Sequence, residues 1–359
     1  MADGKVDALL VTHLPDVRWL CGFTGSNAAL AVTARHAVLF TDGRYIAQAR
    51  EETRGARVTI AKRSALKEAC ALLGERVKRA GFDPAHTTVA DLELMRTALP
   101  AKMRRGFFQP LPSLIVSDLR MVKDAAELAA MQQAAQLGCR LFEEIVPCLH
   151  SGLTEIAVAA ELEYRARSLG AEGMSFETIV ASGPRSALPH GRATTARLPR
   201  NGFVTLDFGV ILKGYCSDMT RTVHMGRANR QERAAYDAVL AAQQAAVNAV
   251  KPGVTGGEVD EAARSVLRRS GLARHFTHST GHGVGLEIHE SPRIGAGQET
   301  KLEPGMAITI EPGVYLPGKF GIRIEDMVAV TATGHRVLTR VAKDWIEIHS
   351  GEGLSRARR

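Results

Sequence analysis

The feature that most constrains the fold of this 359-residue chain is that part of it recurs. Gly152, Thr154 and Gly170 return as Gly253, Thr255 and Gly271, an offset of 101 residues in each case. Further on, Leu198, Gly202, Asp207, Gly209 and Val210 return as Leu302, Gly305, Glu311, Gly313 and Val314, at offsets of 103 or 104. A small loop insertion accounts for the drift. Each unit reads as two helices followed by strands, too long for a solenoid repeat and suited to a duplicated half-domain closing around a shared cleft. Chance matching of Gly and Thr is the competing account; against it, Asp207 and Glu311 are both carboxylates on expected strands at equivalent places.

Ahead of the repeat, short apolar runs at 6–12, 28–33, 37–41, 58–61 and 87–90 alternate with helical ones such as 66–80. That alternation predicts an α/β domain. Around 109–113 it is broken by Pro110 and Pro112, and a new helix is expected after Asp124, an N-cap with Glu127 at the third position. The boundary therefore falls near residue 120, giving domains 1–120 and 121–359.

With 45% of residues hydrophobic and 23% charged, disorder is excluded as the main state. There is no run of about 18 consecutive apolar residues, and acidic Asp3 and Asp7 stand where a signal peptide carries basic residues. A cytoplasmic protein with no membrane role is expected. Five scattered cysteines with no CxxC pair indicate neither a disulfide framework nor a thiolate zinc site. The net charge of +8 owes three positives to Arg356, Arg358 and Arg359 and is otherwise diffuse. Nucleic-acid binding needs basic residues gathered on one face, often with aromatics interleaved, and aromatics are only 5% here. No nucleic-acid partner is expected.

Chemistry concentrates in three places. In 203–223, two β-type runs flank Lys213 and Gly214, a plausible hairpin turn. A two-residue loop there pairs Asp207 with Thr220 and makes Asp207 and Asp218 diagonal neighbours on one face, about 7 to 8 Å apart at the backbone. An odd-length loop would separate them, and an edge hairpin would send both to solvent. Inward-facing aspartates need a cation. Second, His275, His278, His282 and His289, four of the chain's twelve histidines, fall within fifteen residues. Glycines at 281, 283 and 285 exclude a helical HExxH zinc site, so a loop-and-strand site is expected. Third, in 307–311 and 321–330, Glu311 and Glu325 point away from the apolar faces of alternating runs. Solvent is the ordinary destination of such a face.

The motifs LDFG at 206–209, Tyr215-x-x-Asp218-x-Thr220-Arg221-Thr222, HSTGHGVGLEIHE at 278–290, ITIEPGVY at 308–315 and GIRIED at 321–326 resemble those of the pita-bread metallopeptidases. That family includes methionine aminopeptidase, Xaa-Pro aminopeptidase, prolidase and creatinase. The likeness covers 120–350. Gly22-Phe-Thr-Gly-Ser26 and Phe40-Thr-Asp-Gly-Arg-Tyr45 look like the accessory domain of the prolidase and Xaa-Pro aminopeptidase branch. The resemblance implies an α/β N-terminal domain and an α+β pita-bread catalytic domain with internal pseudo-two-fold repeat. It also implies five metal ligands, Asp207, Asp218, His282, Glu311 and Glu325. Asp207 would hold one ion and His282 the other, with Asp218 and Glu325 bridging and Glu311 both ligating and shuttling protons.

Four carboxylates and one imidazole suit two divalent ions, manganese first, with cobalt or zinc as alternatives. By the same resemblance, His190 and His289 are catalytic histidines on the substrate side, His278 is a third pocket histidine that binds substrate, and Arg323 orients Glu325. The implied reaction is hydrolysis of the bond before a penultimate proline in a peptide, by an Xaa-Pro aminopeptidase placed ahead of an Xaa-Pro dipeptidase. Methionine aminopeptidase usually lacks an accessory domain, and creatinase works without metal. A catalytically inactive pita-bread binding protein is the alternative from another class, and such relatives lose ligands. A homodimer is implied by the resemblance alone.

Overall fold

The computed structural model describes residues 6–111 and 115–349. Pro112 and Ser113 of the interrupted stretch, the first five residues and Arg356, Arg358 and Arg359 lie outside the described residues. The chain divides into two compact units, Met1–Arg120 and Met121–Arg359.

The first unit contains strands β1 (Ala8–Val11), β2 (Ala29–Thr33), β3 (Ala37–Thr41), β4 (Arg57–Ile60), β5 (Ala80–Phe82) and β6 (Phe108–Pro110). Its helices are α1 (Leu14–Cys21), α2 (Ile46–Glu52), α3 (Ala65–Arg76), α4 (Val89–Thr97) and α5 (Ile115–Arg120). The strands form one mixed sheet in the order β4-β3-β2-β1-β5-β6. Apolar alternation places Ala8, Leu10, Ala29, Ala31, Val38 and Phe40 on a buried face against Ala69, Cys70 and Leu73 of α3. The run 87–90 is not a strand. Thr88 accepts from the amide of Asp91 and starts α4, because a threonine cap followed by Asp in the first turn favours a helix over a four-residue apolar run. Pro110, expected to break structure, ends β6, which lies at the sheet edge where the missing N–H leaves no ladder bond unmade.

The second unit begins with α6 (Ala125–Ile145), where Asp124 and Glu127 form a reciprocal capping box, and α7 (Glu155–Ser168), capped by Thr154. Strands β7 (Gly173–Met174), β8 (Ile179–Ser182), β9 (Gly202–Phe208), β10 (Val210–Leu212), β11 (Tyr215–Cys216) and β12 (Met219–Met225) follow. The second half repeats this with α8 (Arg230–Ala249) and α9 (Gly256–Arg269), the latter opened by the capping box Thr255–Glu258. Its strands are β13 (Gly281–Gly283), β14 (Glu290–Ile294), β15 (Ala307–Ile310), β16 (Gly313–Leu316), β17 (Phe320–Arg323) and β18 (Asp326–Val330), with β19 (His335–Val337) and β20 (Glu347–Ile348) closing the chain.

Two main sheets result, β20-β12-β9-β8 and β14-β13-β15-β18-β19. Leu141, Phe142, Val158 and Leu162 of α6 and α7 pack with Val180, Val204 and Leu206 of the first sheet. Val239, Val259 and Leu267 of α8 and α9 pack with Ile308, Ile310 and Val328 of the second. The repeat extends to single hydrogen bonds: Thr154 bridges Arg197 as Thr255 bridges Lys301, and the amides of Leu198 and Leu302 donate to the carbonyls of Leu153 and Val254 at 2.9 and 2.8 Å.

The hairpin register is the one the two-residue loop requires. Asp207 faces Thr220, and Leu212 pairs with Tyr215 around Lys213 and Gly214, both at positive φ (54° and 80°). Consecutive left-handed residues fit the twist of a tight hairpin. The stretch 321–330 departs from its expected course. Instead of one strand it makes two: β17 pairs with β16, and β18 pairs with β15. Both faces of these strands are buried, so the polar face that held Glu325 and Arg323 turns into the protein and not to solvent.

Candidate metal centre

The four acids come from the same ends of two antiparallel strand pairs. Asp207 is the penultimate residue of β9 and Asp218 immediately precedes β12; Glu311 immediately follows β15 and Glu325 immediately precedes β18. Strand ends let a side chain leave the pleat, so acids that would be costly inside an apolar sheet gather at its edge instead. His282 enters from β13. A Cβ at Gly281 would overlap the carbonyl oxygen of Thr309, so glycine is needed there for β13 to approach β15.

These groups converge. Ligand atoms of Asp218, His282 and Glu325 lie within 4.8 Å of one another. His282 Nε2 is 3.3 Å from Glu311 Oε1 and 3.6 Å from Asp218 Oδ2. His282 Nδ1 lies 2.9 Å from the Gly283 carbonyl, an acceptor, so it carries a proton and Nε2 is the atom that faces the acids. Burial opposes charge on the ring, but the hydrogen bond and charge of Glu311 outweigh it and raise the His282 pKa.

Asp207, Asp218 and Glu325 are buried. Burial pushes Asp218 well above the usual carboxylate range, and the charges of Glu325, Asp207 and Glu311 add to it. Glu325 is raised the same way, by burial first and then by Glu311 and Asp207. Asp207 is also raised by burial, against the pull of Arg323. Glu311 moves down: burial would raise it, but the hydrogen bond and charge of His282 outweigh burial. Asp207 Oδ1 and Glu325 Oε1 are buried with no hydrogen-bond partner. Orphaned carboxylate oxygens beside ionisation-resistant acids are groups whose burial bound cations would offset. An oxygen-rich set with one imidazole fits hard to borderline divalent ions.

Arg323 does not orient Glu325 directly. Its Nη2 donates to Asp207 Oδ2 at 2.5 Å and its Nε to Thr220 Oγ1 at 3.1 Å, while Thr220 Oγ1 donates to Glu325 Oε2 at 2.7 Å. Thr220 relays between the arginine and Glu325. The cause is the break between β17 and β18, which turns Arg323 toward β9. His278 also differs from expectation. Its Nδ1 donates to the Ser279 carbonyl at 2.8 Å and its Nε2 accepts from Tyr315 Oη at 2.9 Å, so neither nitrogen is left for a ligand. Burial lowers its pKa and keeps the ring neutral. Tyr315 in turn accepts from Arg323 Nη1 at 2.7 Å.

His289 stands edge-on to His282 with ring centroids 4.5 Å apart, and burial followed by the charge of His282 lowers its pKa. His190 is exposed in the irregular segment after β8, where the Pro189 carbonyl accepts from Arg323 Nη1 at 3.0 Å. Residues that the pattern reading missed are Tyr315, Thr220, Thr309, whose hydroxyl donates to Glu311 Oε1 at 3.2 Å, and Asp260, which accepts from the amide and hydroxyl of Thr280. Tyr315 and Thr220 sit inside recognised motifs; Asp260 has no signal beyond its place on a buried helix face.

A second cluster lies in the first unit, where His13, Asp16 and His86 come within reach of one another. The two imidazoles stack with centroids 3.7 Å apart and planes 15° from parallel, so their in-plane lone pairs run side by side and do not converge. His86 Nδ1 is 2.7 Å from Asp83 Oδ2, and Asp16 is held by Arg120.

Among the described residues no helix is long and apolar enough to cross a membrane. All five cysteines are free, and four are buried. Residues 129–332 match the model of metallopeptidase family M24, and residues 1–122 match the creatinase/prolidase N-terminal domain. The chain is 34% identical to an Xaa-Pro dipeptidase of Pyrococcus horikoshii over 96% of both chains. Among solved structures, an Xaa-Pro dipeptidase from Bacillus anthracis superimposes with a TM-score of 0.93 at 38% identity, covering 97% of this chain and 96% of that one. An X-Pro aminopeptidase from Thermotoga maritima gives a TM-score of 0.88 at 34% identity, covering 96% and 98%. With acids and histidine drawn together from both halves of a pita-bread fold, and with this match across more than half its length, the chain belongs to metallopeptidase family M24.

Proposed function

We propose that the chain hydrolyses the peptide bond preceding proline, with two divalent ions, manganese first, held by Asp207, Asp218, His282, Glu311 and Glu325. The observation that supports this reading is the convergence of Asp218, His282 and Glu325, with Glu311 beside His282 and with Asp207 Oδ1 and Glu325 Oε1 left without a hydrogen-bond partner in the interior. Bound ions of this kind would acidify a water and polarise a carbonyl.

The chain's own residues supply the rest. Glu311 is the carboxylate that would accept the proton released as water attacks. His289, neutral at pH 7 because its pKa is lowered, offers one N–H to the substrate carbonyl, and His190 does the same from the opposite segment. Arg323 holds Asp207 in place; His278 acts through Tyr315 on that arginine and does not itself contact substrate. An imide nitrogen before proline carries no N–H, so a site that grips the carbonyl side suits it.

Relatives bearing the name Xaa-Pro dipeptidase, at 34 to 38% identity over nearly the whole chain, move the dipeptide Xaa-Pro ahead of longer peptides as substrate. The aminopeptidase reading is supported by the likeness to the Thermotoga enzyme. Product analysis on Ala-Pro against Ala-Pro-Ala, with manganese, cobalt and zinc compared, separates them. Turnover of Ala-Pro alone supports the dipeptidase, release of Ala from the tripeptide supports the aminopeptidase, and turnover of neither sinks the proposal. We take residues 1–120 as the accessory domain and 121–359 as the catalytic one. A cytoplasmic homodimer is in keeping with the free thiols and with the family resemblance.

A further inference from the structure

Glu155, the first residue of α7, is fully buried and holds no place in the metal cluster. Its carboxylate accepts from five donor atoms. Oε1 takes the amide and hydroxyl of Ser182 at 2.8 and 2.9 Å, Oε2 takes the amide and hydroxyl of Thr194 at 3.1 and 2.8 Å, and Arg185 Nε donates to both oxygens at 3.2 and 3.0 Å. One side chain thus closes both ends of the segment from Ser182 to Thr194. That segment carries Pro189 and His190 at its middle. After a short 3-10 turn it contains no strand, so apart from the single bridge of Ile179 to Arg192 no ladder sets its path.

The opposite side of the segment faces the metal centre. Arg323, which grips Asp207, also donates to the Pro189 carbonyl, and the Gly321 amide donates to Ser186 Oγ at 2.8 Å. Arg185 is itself braced, its Nη2 donating to the Arg192 carbonyl at 2.7 Å. Burying a carboxylate costs several kcal/mol unless its oxygens are filled, and among the described residues the donors to them all come from this segment. A carboxylate so placed defines where the segment lies.

From this geometry we infer that Glu155 is a positioning residue for His190, fixing the segment 182–194 so that the imidazole meets the substrate carbonyl. The inference rests on the substrate-side role given to His190 above. Glu155→Gln keeps one acceptor but turns an amide N–H2 toward donors on Ser182 or Thr194. A displacement of about 1 Å in a catalytic group lowers turnover on the order of 100-fold, and that is the expected fall in kcat/KM on Ala-Pro, most of it in kcat.

The test is a cycle of wild type, E155Q, H190A and the double variant, assayed with manganese, together with amide hydrogen exchange on each. Positioning requires that peptides within 183–194 exchange faster in E155Q while 278–289 and 307–330 stay protected. It also requires that the double variant be no slower than H190A. Unchanged exchange in 183–194, or losses that multiply in the double variant, overturns the inference. Should H190A alone keep full turnover, the role of His190 fails, and the exchange pattern still decides whether Glu155 sets the segment. If E155Q does not fold, Thr194→Val removes a single donor from the same carboxylate, with a smaller loss of the same kind expected and an unaltered exchange pattern again counting against the inference.

Discussion

Asp218 and Glu325 oppose folding unless a cation joins them. In the unfolded chain both ionise near the ordinary carboxylate value of about 4, whereas in the folded chain burial and mutual repulsion hold both well above it. An acid whose native pKa is raised takes up protons that the unfolded chain does not, so stability falls as pH rises from about 4 through the raised native values. Two consequences follow for metal-free protein. In EDTA, its melting temperature should decline between pH 5 and pH 8, and Asp218→Asn should flatten that slope; a slope unchanged in D218N would contradict the assignment. Adding manganese at pH 7 should raise the melting temperature and release protons, read as a dependence of the titration heat on buffer ionisation enthalpy. Glu311 behaves differently because His282 holds it ionised. Glu311→Gln should lower kcat by roughly 100-fold or more, the range of a positioned acid–base group. Wild-type turnover in E311Q would remove Glu311 from the mechanism.

The candidate metal centre depends on where strands stop. Each acid sits at a strand terminus, and His282 depends on a strand of three residues pressed against β15. Gly281→Ala tests that approach: a methyl group would meet the Thr309 backbone, which has no rotamer to yield, so a destabilisation of about 3 kcal/mol or more is expected, at the upper end of overpacking costs. Denaturant unfolding with and without manganese checks it, and a stability within about 0.5 kcal/mol of wild type, the range of a neutral surface change, would show that β13 can move. What could be read from the chain tracks this distinction between local and remote causes. The Lys213–Gly214 turn, the capping boxes at Asp124 and Thr255 and the pairing of Asp207 with Thr220 follow from residues within a few positions of one another, and they were readable. At 87–90 a four-residue apolar run carries less information than the cap at Thr88, so the helix prevails over the strand. The partner of Arg323 could not be read at all, since the choice of Asp207 over Glu325 is made by a strand break at 324–325 that only tertiary pairing imposes.

At the scale of the molecule, duplication explains why a cluster of one charge sign forms at all. Each half supplies two acids from one strand pair, and neither pair alone would bring four carboxylates together; the convergence is a property of the two halves meeting. The first unit is tied instead by opposite charges across its own length. Asp16 in the first turn of α1 meets Arg120 at the end of α5, 2.7 Å apart and both nearly inaccessible, across 104 residues of chain. Burial raises the pKa of Asp16, but the hydrogen bonds from His13 and Arg120 outweigh it and leave it below the ordinary value. For an acid lowered in the native state, the stabilisation is present in full above the unfolded value near 3.9 and disappears as pH falls through the depressed native one. This is opposite in sign to the metal centre. Asp16→Ala should therefore cost on the order of 2 kcal/mol at pH 7, because the charge-assisted hydrogen bond from buried Arg120 is lost, and less at pH 2. Amide exchange in 8–82 and 115–120 reads the loss at neutral pH. Equal destabilisation at both pH values would show that Asp16 contributes by packing and not by charge.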